Sequence, residues 1–143
     1  MASKYEWSAL ILRVVLGIAF FVHGLTKFQG GIENITGWFE SIGLPGFLAY
    51  GVAFLETVGG IALIAGLGTK IISTLFALLM AGAILKVKLA AGFLGDGQSA
   101  GYELDLAFLA MAVSLAITGS KFCSLDRLIF KGRDYNNDAP KSA

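Results

Sequence analysis

His23 and Lys27 stand four residues apart in an otherwise apolar run, so on a helix an imidazole and an ammonium can address the same small ligand. An imidazole exchanges protons near neutral pH and an ammonium holds negative charge, which equips the pair for proton transfer to a bound polar molecule. Arg13, Glu56 and Asp105 also fall inside, or at the edge of, long apolar stretches. A charge at the middle of a membrane helix costs roughly 2.5 to 3.5 kcal/mol on insertion scales, so such groups face protein rather than lipid and mark a site. The five side chains together predict a polar pocket inside a membrane domain.

At about 100° per residue, Arg13, Gly17, Phe20, Gly24 and Lys27 lie within roughly 40° of one line along a helix, with His23 on its flank. Glu56 shares a face with Ala49, Ala53, Gly60 and Leu63, mostly small residues that let another helix approach. Counting from the ends of the apolar segments places Arg13 and Glu56 about one helical turn apart in height, which predicts an ion pair. That pair is equally consistent with a site and with a device that fixes helix register. Asp105 opens the last apolar segment beside Tyr102 and Glu103, and Lys86 and Lys88 close the one before it. The two lysines read as side chains snorkelling to the interface, and Asp105 equally as a carboxylate favoured at a helix start.

The chain has 143 residues, of which 56% are hydrophobic and only 15% charged. Its mean hydropathy is +0.75. Soluble domains carry about 25% charged residues, so the composition reads as one integral membrane domain, expected over 1–130 and followed by a polar tail over 131–143. Four apolar segments, about 7–28, 47–67, 71–89 and 102–119, approach the ~20 residues needed to span a bilayer. The last is the shortest and must recruit its flanks. Between the first two, Ile35, Trp38, Phe39 and Ile42 recur at helical spacing between Gly30-Gly31 and Gly43-Leu44-Pro45-Gly46. The expected fold is therefore all-α: an integral membrane four-helix bundle with a short interfacial helix after the first span. That short helix could roof the pocket or simply connect two spans.

Gly68-Thr69-Lys70 is short enough to force antiparallel neighbours, and the glycine-rich stretch from Ala91 to Tyr102 is expected as a mobile loop. The first apolar run exceeds a signal-peptide core, carries charge and is followed by no convincing cleavage site, so it is expected to remain. Four spans collect Lys4, Lys70, Lys121, Arg127, Lys131, Arg133 and Lys141 on one side, against Lys27, Lys86 and Lys88 on the other. This bias predicts a multi-pass protein of the cell membrane with both termini in the cytoplasm.

A net charge of +1 without a basic face argues against nucleic-acid binding. Cys123 is the single cysteine, so a thiol relay, an Fe–S centre and a cysteine-based zinc site lack ligands, and no metal site is assigned. No flavin or dinucleotide motif is present, and the electron donor or acceptor stays unassigned.

The order and spacing of Leu12-Arg13 with Gly17, His23-Gly24-x-x-Lys27, Phe39-Glu40-x-x-Gly43-Leu44-Pro45, Glu56-x-x-Gly59-Gly60, Gly66-x-x-Thr69-Lys70 and Gly101-Tyr102-Glu103-Leu104-Asp105-Leu106 resemble the DoxX family of small four-helix membrane proteins. The resemblance runs from about Leu10 to Asp126 and is greatest to the catechol- and quinone-resistance branch. It implies a membrane oxidoreductase that detoxifies catechols, hydroquinones or quinones. The family's arginine, His-Gly-x-x-Lys and second-span glutamate match Arg13, His23, Lys27 and Glu56. Many members have arginine where Lys70 stands. On this reading His23, Lys27, Glu56 and Asp105 are catalytic candidates, moving protons and holding a phenolate. Arg13 and Glu103 bind substrate, and Phe20, Phe21, Trp38 or Tyr102 stack on its ring. A bound quinone is the cofactor candidate. Membrane lipids, a small aromatic substrate, a soluble redox partner and a second copy of the chain are the expected partners. Two other readings stay open: a non-catalytic binder or carrier of small aromatic compounds, and a membrane subunit of an oxidoreductase complex.

Overall fold

The computed structural model describes residues 1–137, and the described residues are predominantly helical. Helix α1 (Lys4–Gln29) starts earlier than hydropathy predicts because Ser3 and Glu6 form a capping box. The Glu6 N–H donates to Ser3 Oγ at 3.2 Å, and the Ser3 N–H donates to Glu6 Oε2 at 2.7 Å. Helix α2 (Ile32–Ser41) is the predicted short amphipathic helix. Helices α3 (Phe47–Ala65) and α4 (Thr69–Ala83) follow, joined by the tight turn at Gly66–Gly68.

Helix α4 runs on through a π turn over Ile84–Lys88 and a short 3-10 turn over Leu89–Ala91. Among the described residues, three helices are long and apolar enough to cross a membrane: Lys4–Gln29, Phe47–Ala65 and the continuous Thr69–Ala91. Helix α5 (Glu103–Thr118) has 16 residues and packs along α4. Helix α6 (Leu125–Asn137) crosses the boundary expected at 131. The rest of the expected tail, 138–143, lies outside the described residues.

Small residues decide how α1 meets α3. A Cβ at Gly60 would fall 2.6 Å from the Phe21 nitrogen, and one at Gly17 would fall 2.8 Å from the Gly60 oxygen. Only glycine permits that backbone approach, which supplies close packing where lipid offers no hydrophobic driving force. Leu16, Phe20, Leu63, Phe76, Met80, Ala112 and Leu115 fill the core between α1, α3, α4 and α5. The Phe20 and Phe76 rings stack at 3.8 Å.

The loop expected to be mobile is an organised turn. Asp96 Oδ1 accepts from the Gln98 and Ser99 N–H groups at 3.0 and 2.7 Å, and Gly95 pairs with Ala100. These backbone bonds, chiefly that from Ser99, hold the Asp96 carboxyl below the usual carboxylate range.

Candidate functional site

The predicted stripe on α1 is buried from Arg13 to Gly24, with Lys27 half-buried and His23 exposed on its flank, and its two ends serve different places. Arg13, Leu16, Gly17, Phe20 and Gly24 all face inward. Arg13 and Lys27 are separated along the helix by about 21 Å at 1.5 Å per residue. The core residues Leu16, Phe20 and Leu63 lie between them.

The expected Arg13–Glu56 pair is not formed. Gly17 packs beside Gly60 and Ile64, and Gly24 beside Ala53 and Thr57, which places Arg13 next to Gly66. Glu56 is ten positions from that glycine, about 15 Å along α3 and beyond the reach of an arginine. Counting from the ends of the apolar runs failed because the register is set by where the two backbones touch, at Gly17 on Gly60 and Gly24 on Ala53.

Arg13 instead gathers the segment after α5. Its Nη1 donates to the Ser120 and Phe122 carbonyls at 3.2 Å each, and Nη2 to the Cys123 carbonyl at 2.7 Å. Cys123 holds a left-handed backbone (φ 47°) at that point. Nearby, Asp126 accepts from the Gly68 N–H through both carboxylate oxygens at 2.9–3.0 Å, and the Asp126 N–H donates to the Gly66 carbonyl. Arg13, expected to bind substrate, is thus a buried fastening between α1, the α3–α4 turn and the segment before α6, at the opposite end of the stripe from Lys27.

Glu56 pairs with Lys27. The Lys27 Nζ lies 2.6 Å from Glu56 Oε2, with side-chain exposures of 22% and 6%. Both line a cavity of about 410 Å³ between α3 and α4, beneath α2. His23 and Asp105 line the same cavity, and the His23 ring meets the edge of Phe108 with centroids 6.1 Å apart. Its aromatic walls are Phe20, Trp38, Phe39 and Phe108. Helix α2 therefore roofs the cavity, with Trp38, Phe39 and Ile42 turned into it.

Other expected residues are placed elsewhere. The Phe21 backbone abuts Gly60, and its side chain is not a cavity wall. Tyr102 packs edge-on against Phe93 outside the cavity, and Glu103 is exposed in the first turn of α5. Their positions follow from the helix start: Tyr102 is the N-cap residue of α5, so only Asp105 and, one turn later, Phe108 point inward.

Lys88 is the largest departure from the sequence reading. It is not a snorkelling lysine but sits 2.7 Å from Asp105 Oδ2, with side-chain exposures of 29% and 10%. A regular helix continuing from the buried stripe Thr69, Ser73, Phe76 and Met80 would carry Lys88 roughly 90° off that stripe. The π turn, closed by the Leu89 N–H donating to the Ile84 carbonyl, advances each residue less and returns Lys88 to the inner face. No residue pattern in Ile84–Lys88 announces that turn.

The site thus joins two lysine–carboxylate pairs, an imidazole and aromatic walls. It can accept a proton or hydrogen bond from a hydroxyl, hold a developing negative charge and sandwich a ring. Among the described residues, no three His, Cys, Asp or Glu side chains converge to hold a metal ion.

The chain is 47% identical over 137 residues to a Bacillus subtilis protein named "Putative oxidoreductase CatD", covering 96% of this chain and 98% of that protein. An uncharacterized membrane protein of Mycobacterium tuberculosis is 32% identical, with 87% of this chain and 82% of that protein covered. An uncharacterized Haemophilus influenzae protein is 33% identical, with 90% and 96% covered. No solved structure matches the chain. The DoxX family model matches residues 8–89, which hold His23, Lys27 and Glu56 but stop short of Asp105. By that match and these near-full-length relatives, the chain belongs to the DoxX family.

Proposed function

We propose that the protein is a membrane oxidoreductase acting on catechols, hydroquinones or quinones and contributing to their detoxification. In this reading α1, α3, α4 and α5 form a four-span bundle with α2 in the interface and both termini in the cytoplasm. The observation that carries it is the convergence of His23, Lys27–Glu56 and Lys88–Asp105 on one aromatic-walled cavity. The oxidoreductase name borne by the Bacillus subtilis relative supports the reaction class.

Oxidation of a catechol or hydroquinone removes two electrons and two protons. Asp105 Oδ2 accepts the hydrogen bond, then the proton, of one hydroxyl, and His23 takes the other. Lys27 and Lys88 stabilise the phenolate formed between these steps. Phe20, Trp38 and Phe108 hold the ring. The electrons pass to a quinone or a soluble redox partner, and the reverse direction reduces a quinone.

The test is catechol-dependent reduction of an added quinone by purified protein in lipid nanodiscs. His23→Ala and Asp105→Asn are expected to lower turnover by roughly 100-fold at unchanged protein level, the scale of a lost general base. Undiminished turnover in both variants removes the proposal. Binding of catechol with no turnover in the wild type favours the carrier reading instead.

A further inference from the structure

The two sides of the cavity belong to helices that share a turn and then part. Near the turn α3 and α4 are closed, because Gly59 admits Phe76 and Ile72 against its backbone. Farther along, Leu48 and Val52 of α3 and Leu79 and Ala83 of α4 all face the cavity rather than each other. The rim of this gap is apolar. Leu48 and Leu78 are exposed, Leu78 at 66%, and Gly82 is exposed beside them. Leu78 and Gly82 lie about 14 and 20 Å along the span that starts at Thr69, within the ~30 Å hydrocarbon layer. The opposite flank is shut by the α1–α3 backbone contact, and the roof is α2.

We infer that the cavity takes its ligand sideways from the bilayer through the gap between α3 and α4, and that the ligand is an aromatic diol or quinone bearing an apolar tail that lies in this gap. The inference rests on the proposed function for the identity of the ring and adds where the tail goes. The cavity's polar groups are His23, Lys27, Glu56, Lys88 and Asp105, with Lys86 one turn beyond Gly82, while Leu48, Val52, Leu78, Leu79 and Ala83 make the walls of the gap aliphatic. That division suits an amphiphile with a polar ring and an apolar tail. A freely water-soluble catechol would leave the aliphatic half unused.

Gly82 allows a direct test, since a Cβ there meets nothing within 4 Å. Gly82→Leu fills the gap without pressing on the core, and Leu78→Phe narrows it from the exposed rim. In a Trp7→Phe background Trp38 is the sole tryptophan, and its fluorescence in nanodiscs reports cavity occupancy. The probes are hydroquinone and hydroquinone with a ten-carbon tail. Each gap variant is expected to weaken the tailed probe by about tenfold or more, to leave the untailed probe within about threefold, and to keep the wild-type melting temperature. Unchanged binding of the tailed probe in both variants overturns side access. Equal weakening of both probes overturns it too, because the substitution then acts on the ring site. If neither probe quenches Trp38 in the parent protein, the proposed function and the inference fall together. If both bind and only the gap variants fail to discriminate, the function stands without the side opening.

Discussion

Removing Lys27 tests the electrostatics of the site through an asymmetry that the structure fixes. Glu56 has a 6% exposed side chain and a 2.6 Å contact to Lys27, whose own side chain is 22% exposed. Lys27→Met therefore strands a carboxylate with little access to water, at the lower end of the 3–5 kcal/mol cost of breaking a buried pair, or about 3 kcal/mol. Glu56→Gln strands an ammonium on a flexible stem one turn from the end of α1. That group can swing toward the interface, so its loss costs about 1 kcal/mol. The double variant removes both charges and should be less destabilised than the sum of the single variants, with a coupling of about 2 kcal/mol. At about 2–4 °C per kcal/mol, Lys27→Met lowers the melting temperature by roughly 6–12 °C, and Glu56→Gln by only a few degrees. Melting curves of the four proteins in identical nanodiscs measure the cycle. Additive losses, or a Lys27→Met protein that melts with the wild type, would refute the pairing and the burial on which it rests.

Arg13→Met should loosen the segment after α5 by about 2–4 kcal/mol, since several charge-assisted bonds to carbonyls are lost together, while Trp38 quenching by a bound quinol stays intact. Gly60→Val forces α1 away from α3 and is expected to abolish a stable fold, read as aggregation on size-exclusion chromatography. Asp96→Ala should speed amide exchange at Gln98 and Ser99 at neutral pH. In the wild type the folded carboxyl titrates below its unfolded value, so the turn is fully supported above the ordinary aspartate range and loses that support as pH falls through the lowered value. Exchange at these two amides that rises only at acidic pH, after correction for intrinsic rates, checks the sign.

Much of the site was legible in the sequence for reasons that can be named. A charge in an apolar run must turn inward, and that rule correctly buried Arg13, Glu56 and Asp105. Helical spacing correctly placed Trp38 and Phe39 on one face of α2. Register between helices was not legible, because it depends on where backbones touch: Gly17 on Gly60 set the height of Glu56, and with it the choice of Lys27 over Arg13. Ser3 and Glu6 did carry a readable start signal, three residues apart, that hydropathy overrode. Which of Lys86 and Lys88 turns inward to Asp105 was beyond reach, since a π turn changes the angular count itself. Phe108 could have been found from Asp105 by stepping one turn along the same face.

The most direct measurement is an experimental structure of the protein in lipid with a tailed hydroquinone bound. The account predicts the ring between Phe20, Trp38 and Phe108, one hydroxyl within hydrogen-bonding distance of Asp105 Oδ2, and the tail leaving past Gly82. A ligand seated at Arg13, or a cavity closed by aliphatic side chains with His23 and Asp105 turned apart, would contradict it.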